Sequence, residues 1–430
     1  MSFDAARWNQ GKLRVHLIGV AGSGMTPLAE ILLDLGHEVT GSDLKPAPER
    51  IIQRGLGFSL GHAAEGIGPV DVVVASAAIP DENVEWMEAK KRGVVRLRRG
   101  EVLGQLAQGK KLLAVLGSHG KTTTATMVAQ IFHEAGENPS FYLGGYAPSL
   151  GASGRWGKGD WLIAEVDESE GAPTQLKPWA ALLLNADYEH VDRYANEKAV
   201  IAAYQQILGN VAGPVIVVAK EESAAMDAAG SVQQKVTFGW EKSEADYVGS
   251  WKGESADGIR FGVKGKGKDL GTFAVAAPGR HNGGNALGGL ALAAELGIAP
   301  EKIRQGLQAF RRAERRFEIL ESEPALEVVD DYAHHPKEVV ATWKAAQARG
   351  RARIVAIFQP HRYTRLATFM TAFAEALAKA DLVVLLPVYA AGEREMEGFG
   401  VAELAAKIGE LGGKVEVARS MPECRTILGK

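Results

Sequence analysis

Short apolar runs alternate with stretches of helical spacing from the start of the chain. RVHLIG (14–19) is followed by MTPLAEILLDLG (25–36), whose apolar residues recur at three- and four-residue intervals. HEVTGSD (37–43) and VDVVVASA (70–77) then read as further strands. The alternation resumes with KLLAVLG (111–117), DWLIAEVDE (160–168), AALLLNAD (180–187) and GPVIVVAK (213–220). Between 235 and 277 the character changes. KVTFGW, YVGSWKG, GIRFGVKG and GTFAVAAPG are short and punctuated by turns, which predicts an antiparallel patch. Helices are expected over 285–297 and 301–310. A third set follows from about 314: LEVVDDY, PKEVVATWKAAQARG, RIVAIFQ, TFMTAFAEALAKA, DLVVLLPV and VAELAAKIGELG. Strands separated by helices form parallel sheets covered on both faces, so the pattern predicts an α/β protein of three domains, 1–108, 109–313 and 314–430.

Length agrees with that division, since 430 residues exceed one ordinary hydrophobic core. A hydrophobic content of 46% with 23% charged residues is ordinary for a globular chain, and a net charge of −3 gives no reason to expect nucleic acid or an anionic membrane as partner. Phosphate binding, if present, must be local. The single cysteine, Cys424, excludes an internal disulfide. The N-terminal MSFDAARWNQGK has no apolar signal core and no run approaches a membrane span, so a cytoplasmic protein is expected.

Two glycine-rich turns stand where strands run into helices. GSHGKTTT spans Gly117 to Thr124. Such a turn gathers backbone N–H groups and the positive end of a helix at one point, where a polyphosphate can sit. Gly117, Ser118, Gly120 and Thr123 would shape this loop, Lys121 would reach the β- and γ-phosphates, and the Thr122 hydroxyl would ligate Mg²⁺. The full motif would need glycine at 115, where this chain has Val115. The first turn, GVAGSG (19–24), lacks the middle glycine of a dinucleotide fingerprint at Ala21, which disfavours an NAD site. A diphosphate of another kind remains compatible with Gly22, Ser23 and Asp43 at the end of the next strand.

Polar clusters follow the apolar strands. Glu165, Asp167 and Glu168 close one strand, the layout that offers an acid to Mg²⁺ beside a phosphate loop. NADYEHVDRY bunches Asn185, Asp187, Glu189, His190 and Asp192 after another; a lone histidine there is as readily structural as a metal or phosphate contact. DDYAHHPKEV (330–339) and FQPHRYTR (358–365) are the densest clusters. Arg362 and Arg365 offer forked donors for a carboxylate or phosphate, and Tyr332, His334, His335 and His361 add groups that handle protons.

Taken in order, the phosphate loop, EVDES, NADYEHVD, GRHNGGNA, RRFE, DDYAHHP and FQPHRYTR resemble the Mur ligases of peptidoglycan synthesis over nearly the whole chain. Within that family they are most similar to the branch that joins L-alanine to UDP-N-acetylmuramate. The resemblance implies an N-terminal Rossmann-like domain for UDP, a central ATPase domain and a C-terminal Rossmann-like domain for the amino acid. It assigns Lys121, Glu165, His190, His334, His361, Arg362 and Arg365 to catalysis. Gly117, Ser118, Gly120, Lys121, Thr122, Thr123, Asn282, Asn285, Arg316 and Asp331 fall to ATP. Thr122, Glu165 and His190 fall to the metal, with two Mg²⁺ ions expected. Gly22, Ser23, Asp43 and Ser76 fall to the UDP side, and Tyr332 with His334, His361, Arg362 and Arg365 to the pocket for muramate and alanine.

A monomer or homodimer is expected. The chain departs from the family at Ser118, usually threonine, and in LLLNAD and RRGEVLGQL. It ends at CRTILGK, where the family usually continues, so the third domain is expected to be short at that end. The close rival is the recycling ligase that attaches a whole tripeptide, which typically lacks HRYTR. Folate-type glutamate ligases lack the UDP domain. A nucleotide-gated binding protein without turnover would show no phosphate release that depends on substrate.

Overall fold

The computed structural model describes residues 3–167, 176–191, 193–230, 232–255 and 258–429. In the first part β1 (Arg14–Ile18), α1 (Met25–Asp34), β2 (Glu38–Asp43), α2 (Glu49–Gln53), β3 (Gly57–Leu60), β4 (Val72–Ala75), α3 (Val84–Lys91), β5 (Val95–Arg98) and α4 (Arg99–Ala107) follow one another. The strands form an all-parallel sheet in the order β3-β2-β1-β4-β5. The order reverses between β1 and β4, and ligands of open α/β sheets bind at the strand ends beside that point. The glycine turn after β1 lies there. β4 is buried along its whole length, which explains why it reads as a continuous apolar run.

The central part contains β6 (Lys111–Leu116), α5 (Lys121–Glu134), β7 (Ser140–Ala147), β8 (Ala152–Arg155), β9 (Trp161–Glu165), β10 (Ala180–Leu183), α6 (Glu197–Gly209), β11 (Val215–Ala219), α7 (Ser223–Ala229), β12 (Lys235–Trp240), β13 (Tyr247–Ser255), β14 (Gly258–Gly265), β15 (Lys268–Val275), α8 (Arg280–Glu295) and α9 (Pro300–Ala309). Among the described residues one continuous sheet runs β15-β14-β13-β12-β11-β10-β6-β9-β7-β8. The expected antiparallel patch is therefore an extension of the parallel sheet. KVTFGW does not belong to it, because β12 pairs parallel with both β11 and β13, and the antiparallel pairs of the patch are β13–β14 and β14–β15; at the far edge of the sheet β7 and β8 are also antiparallel. Local turn content identified the strands correctly and could not reveal which neighbour each would meet. β6 lies between β9 and β10, so the loops after those two strands flank the loop after β6.

One face of this sheet is covered by α5, α8 and α9, with Phe132, Phe261, Phe273 and Phe310 fully buried. On the other face a single apolar cluster runs from Trp8, Leu17 and Leu28 of the first part through Leu112 and Leu162 to Tyr204 and Ile207. The first part is thus packed onto the sheet. A buried carboxylate pins the contact: Glu30 of α1 accepts Ser153 N (2.8 Å), Ser153 Oγ (2.6 Å) and Gly154 N (2.6 Å) from β8. Hydrogen bonds to the buried oxygen offset its desolvation.

The last part contains β16 (Glu318–Ser322), β17 (Glu327–Asp330), α10 (Pro336–Ala348), β18 (Val355–Phe358), α11 (Tyr363–Leu377), β19 (Leu382–Leu385), α12 (Val401–Glu410), β20 (Val415–Val417) and α13 (Met421–Leu428). β18, β19 and β20 are parallel, β16 and β17 form an antiparallel pair, and Phe358, Leu366, Phe373, Leu404 and Ile408 fill the core between the three-stranded sheet and its helices. No described helix is long and apolar enough to cross a membrane.

Candidate active site

The loop from Gly117 to Gly120 joins β6 to α5. Val115, at the motif's first glycine position, is a buried strand residue paired with Leu182 and Glu165, so the turn begins two residues later and needs no glycine there. Gly120 caps α5 with φ +81°, and a Cβ at that position would stand 2.7 Å from Asn285 Oδ1. Both the left-handed backbone and the close neighbour require glycine. Lys121 Nζ lies back across the loop and donates to Gly117 O (2.6 Å) and Ser118 O (3.3 Å). Asn185 clasps the loop from the neighbouring strand end: its Oδ1 accepts His119 N (2.9 Å) and its Nδ2 donates to His119 O (3.1 Å). Ser118 Oγ donates to Asp187 O at 2.8 Å. Buried Thr122 receives Arg316 Nη2 on its hydroxyl at 3.2 Å, and Thr123 follows on α5.

Glu165 ends β9 with Oε2 buried and without a hydrogen-bond partner, and Asp167 Oδ1 lies 3.4 Å from His190 Nε2. An orphaned carboxylate oxygen beside a phosphate loop suits a hard cation such as Mg²⁺, which prefers oxygen ligands. Among the described residues no three acidic, histidine or cysteine side chains converge as a ready metal cage. Glu168 and Asp192 lie outside the described residues.

A second cluster closes over the loop from the C-terminal part. Glu338, in the first turn of α10, accepts His334 N (3.0 Å) and His335 N (3.3 Å), and its other oxygen meets His119 Nδ1 at 3.2 Å. His119 Nε2 stands 3.4 Å from Asp187, which also pairs with Lys337. Glu189, 2% exposed, takes His334 Nε2 at 3.2 Å and Arg365 Nη2 at 3.4 Å. Burial opposes both carboxylates, yet His334 and His119 hold Glu189 and Glu338 well below the usual range. Burial likewise opposes a charge on His119, but Glu338, Glu189 and Asp187 raise its pKa. His335 and His361 are lowered to about 4, first by burial and then by the nearby cations His119 and Arg365 respectively. Neutral His335 accepts Lys337 N on Nδ1, and Arg365 Nη1 reaches His361 Nδ1 at 3.2 Å. The cluster therefore holds the neutral imidazoles of His335 and His361 beside His119, whose charged form the neighbouring carboxylates favour.

The similarity to known proteins follows the same division. Three family models match in order: the Mur ligase family catalytic domain over residues 14–111, the Mur ligase middle domain over 115–293 and the Mur ligase glutamate ligase domain over 315–428. The UDP-N-acetylmuramate–L-alanine ligase of Pelotomaculum thermopropionicum is 37% identical over 94% of this chain and 88% of its own length. The enzyme of that name from Anaeromyxobacter dehalogenans is 39% identical over 92% and 87%. The chain belongs to the Mur ligase family. A solved UDP-N-acetylmuramate–alanine ligase from Thermotoga maritima superposes with a TM-score of 0.82 at 28% identity, covering 96% of this chain and 92% of that one. A murein peptide ligase from Psychrobacter arcticus, 22% identical with a TM-score of 0.76 over 97% and 92% of the two chains, shares the fold.

In this Mur ligase the residues expected around ATP gather unevenly. Asn285 touches the phosphate loop directly, whereas Asn282 donates to Pro278 O (2.6 Å) and steadies Asn285 from one helical turn away. Asp331 accepts Phe317 N (3.0 Å) on one oxygen and Ala333 N (2.8 Å) on the other, so it shapes the turn that carries Arg316. Burial raises its pKa. Tyr332 is half-exposed, with the Arg315 and Arg316 guanidinia over its ring. Arg362 adopts φ +72°, donates its N–H to Tyr389 O (2.8 Å) and points Nη1 toward Glu393 at 3.8 Å.

At the first turn Asp43 accepts Ala21 N (3.0 Å) and Lys45 N (3.0 Å), so its carboxylate braces the glycine turn. Gly22 O receives Met25 N and Thr26 N, Ser23 lines a cavity at the domain junction, and Ser76 N donates to Ile18 O. Two groups central to the geometry were not among the expected site residues, His119 and Glu338. Glu338 carries a readable signal: HPKE places Pro at the first helical position and Glu at the third, a helix-start pattern. Nothing local in the sequence marks its pairing with His119.

Proposed function

We propose that this Mur ligase uses ATP to join L-alanine to the carboxylate of UDP-N-acetylmuramate in cytoplasmic peptidoglycan precursor synthesis. The reading rests on one observation above the others: the HHPKE segment meets the phosphate loop through His119–Glu338, and the HRYTR segment meets the flanking loop after β10 through Arg365–Glu189. A domain carrying forked cations is thereby held over the point where a γ-phosphate would lie. Its support from relatives is the shared name of curated proteins matched over more than nine-tenths of the chain. The boundaries near 108 and 313, and the roles of individual residues, belong to this proposal.

A free carboxylate is a poor acyl donor, so it is first phosphorylated by ATP and the resulting acyl phosphate then accepts the alanine amine. In this chain Lys121 would leave its carbonyl partners to pair with the γ-phosphate, and the first turn of α5 would hold the β-phosphate. Thr122, Glu165 and, beside Asp167, His190 would hold Mg²⁺, two ions in our reading, which when bound neutralises charge on the phosphates. Arg362 and Arg365 would hold the alanine carboxylate, with Tyr332 lining that pocket. His334 and His361 would accept the amine proton, and His361 is neutral above about pH 4. The closed junction would exclude water from the intermediate.

Phosphate release from Mg-ATP with UDP-N-acetylmuramate, assayed separately with L-alanine, glycine, L-serine and the tripeptide, tests this. Release that requires both nucleotide sugar and L-alanine is expected. Turnover with the tripeptide alone would overturn the reading in favour of the recycling reaction.

A further inference from the structure

Helix α11 begins on an arginine. Arg362 holds its N-cap position, and the Arg362 side chain makes no capping hydrogen bond. Caps are normally Ser, Thr, Asp or Asn, whose oxygens accept free N–H groups of the first turn. A guanidinium has donors only and cannot do this. The acceptors come instead from the loop after β19. Glu393 Oε2 accepts Thr364 N (3.0 Å) and Glu393 Oε1 accepts Thr364 Oγ1 (2.7 Å), across 29 positions of sequence. Tyr389 O accepts Arg362 N and Tyr389 N donates to Pro360 O, both at 2.8 Å.

The backbone is left-handed on both sides of this junction, at Arg362 (φ +72°) and at Ala391 (φ +50°). Non-glycine residues persist in that region where the surroundings over-determine them. Ala391 and Gly392 (φ +89°) make the tight turn that brings Glu393 N back to Ala390 O at 3.0 Å and carries the Glu393 carboxylate to the start of α11. The helix itself is not continuous. Phe369 leaves helical geometry (φ −113°, ψ 18°), and its ring packs against His335 and Tyr188 with centroids 4.8 and 6.2 Å away. A kink there uncouples the turns that carry Arg362 and Arg365 from the rest of α11. Their direction is therefore set by what grips them locally. Glu189 and His361 grip Arg365, and Glu393 grips the turn between the two arginines while standing 3.8 Å from Arg362 Nη1.

We infer that Glu393 is a positioning residue for the amino-acid pocket: its carboxylate supplies the cap that Arg362 cannot, and so fixes the turn that presents Arg362 and Arg365 to the incoming amino acid. The inference rests on the proposal that these arginines hold the alanine carboxylate. Phosphate release, with ATP, UDP-N-acetylmuramate and L-alanine varied in turn, tests it in the wild type, Glu393→Ala, Glu393→Gln and Thr364→Val. Loss of a charged acceptor should raise the KM for L-alanine about tenfold in Glu393→Ala. Glu393→Gln keeps an acceptor and Thr364→Val keeps the backbone bond, so each should raise it about threefold. The KM values for ATP and the nucleotide sugar should stay within about twofold, a split that a purely structural cap would not produce. An alanine KM within twofold of the wild type in folded Glu393→Ala, or an equal rise in all three constants, would overturn the inference. Should that variant fail to fold, Glu393→Gln decides, and an unchanged alanine KM there overturns it. If the wild type releases no phosphate with L-alanine, the proposed substrate itself is wrong and the inference falls with it, before any variant is compared.

Discussion

The two glycine turns differ in what holds them. Both fall one glycine short of a familiar motif, at Ala21 and at Val115. The turn after β1 is braced mostly from within its own domain, where Ser42 O accepts Gly19 N and Val20 N and Asp43 accepts Ala21 N, with one bond from the central part, Tyr142 Oη to Gly24 O. The turn after β6 is held by groups scattered over the chain, including Asn185, Asn285, Arg316 and, through His119, Glu338. A nucleotide-sugar turn finished by local contacts can bind before the domains meet. On the proposed reading, the loop after β6, whose partners arrive from two parts of the chain, should depend on their docking more than the first turn does, so ligand binding and domain closure should be coupled more strongly there.

The largest test of this contrast is Lys121→Ala. Ligation should fall about 10³-fold while UDP-N-acetylmuramate affinity stays within about twofold, as measured by turnover and calorimetry. A matching loss of affinity in the folded variant would erase the distinction between the loops. Gly120→Ala should cost about 1–2 kcal/mol from the left-handed backbone alone, with Asn285 displaced as well. Its expected signature is an ATP KM raised about tenfold with the nucleotide-sugar KM unchanged.

Glu338→Gln keeps the helix cap but removes the charge that faces His119, and a loss of about 2 kcal/mol in chemical denaturation is expected. Asp43→Asn is the counterpart at the first loop. Because Asp43 serves backbone N–H groups of its own domain, this change should leave the ATP KM unaltered, and a shift in that constant would break the comparison.

The smallest effect concerns pH. His119 is raised above its ordinary 6.5 on folding, so the stability it lends is complete below that value and fades as pH rises through its folded pKa. Glu338 is depressed below 4.5, so its contribution is present above 4.5 and fades as pH falls. The thermal midpoint of the wild type should exceed that of His119→Asn by a few degrees at about pH 6, and the gap should narrow by about pH 9. A gap that widens with pH would show that His119 is neutral in the folded chain.

Much of this was legible in the sequence. The alternation of strands and helices, the phosphate loop and the carboxylates at the ends of β9 and β10 follow from local apolar period and turn chemistry, which depend on a few neighbouring residues. Even there the reach was limited: α8 begins at Arg280, so GRHNGGNA forms the helix's first turns, where the pattern placed its start at 285. Asp43 and Asp331 each accept backbone N–H groups of the turns beside them, partners that no local pattern announces. What only the tertiary structure decided is which residues face one another across domains. His119 and Glu338 are 219 positions apart, and Arg365 and Glu189 are 176 apart. No local periodicity encodes such a pairing, because it depends on how distant parts of the chain dock, and that docking is set by the summed burial of their surfaces.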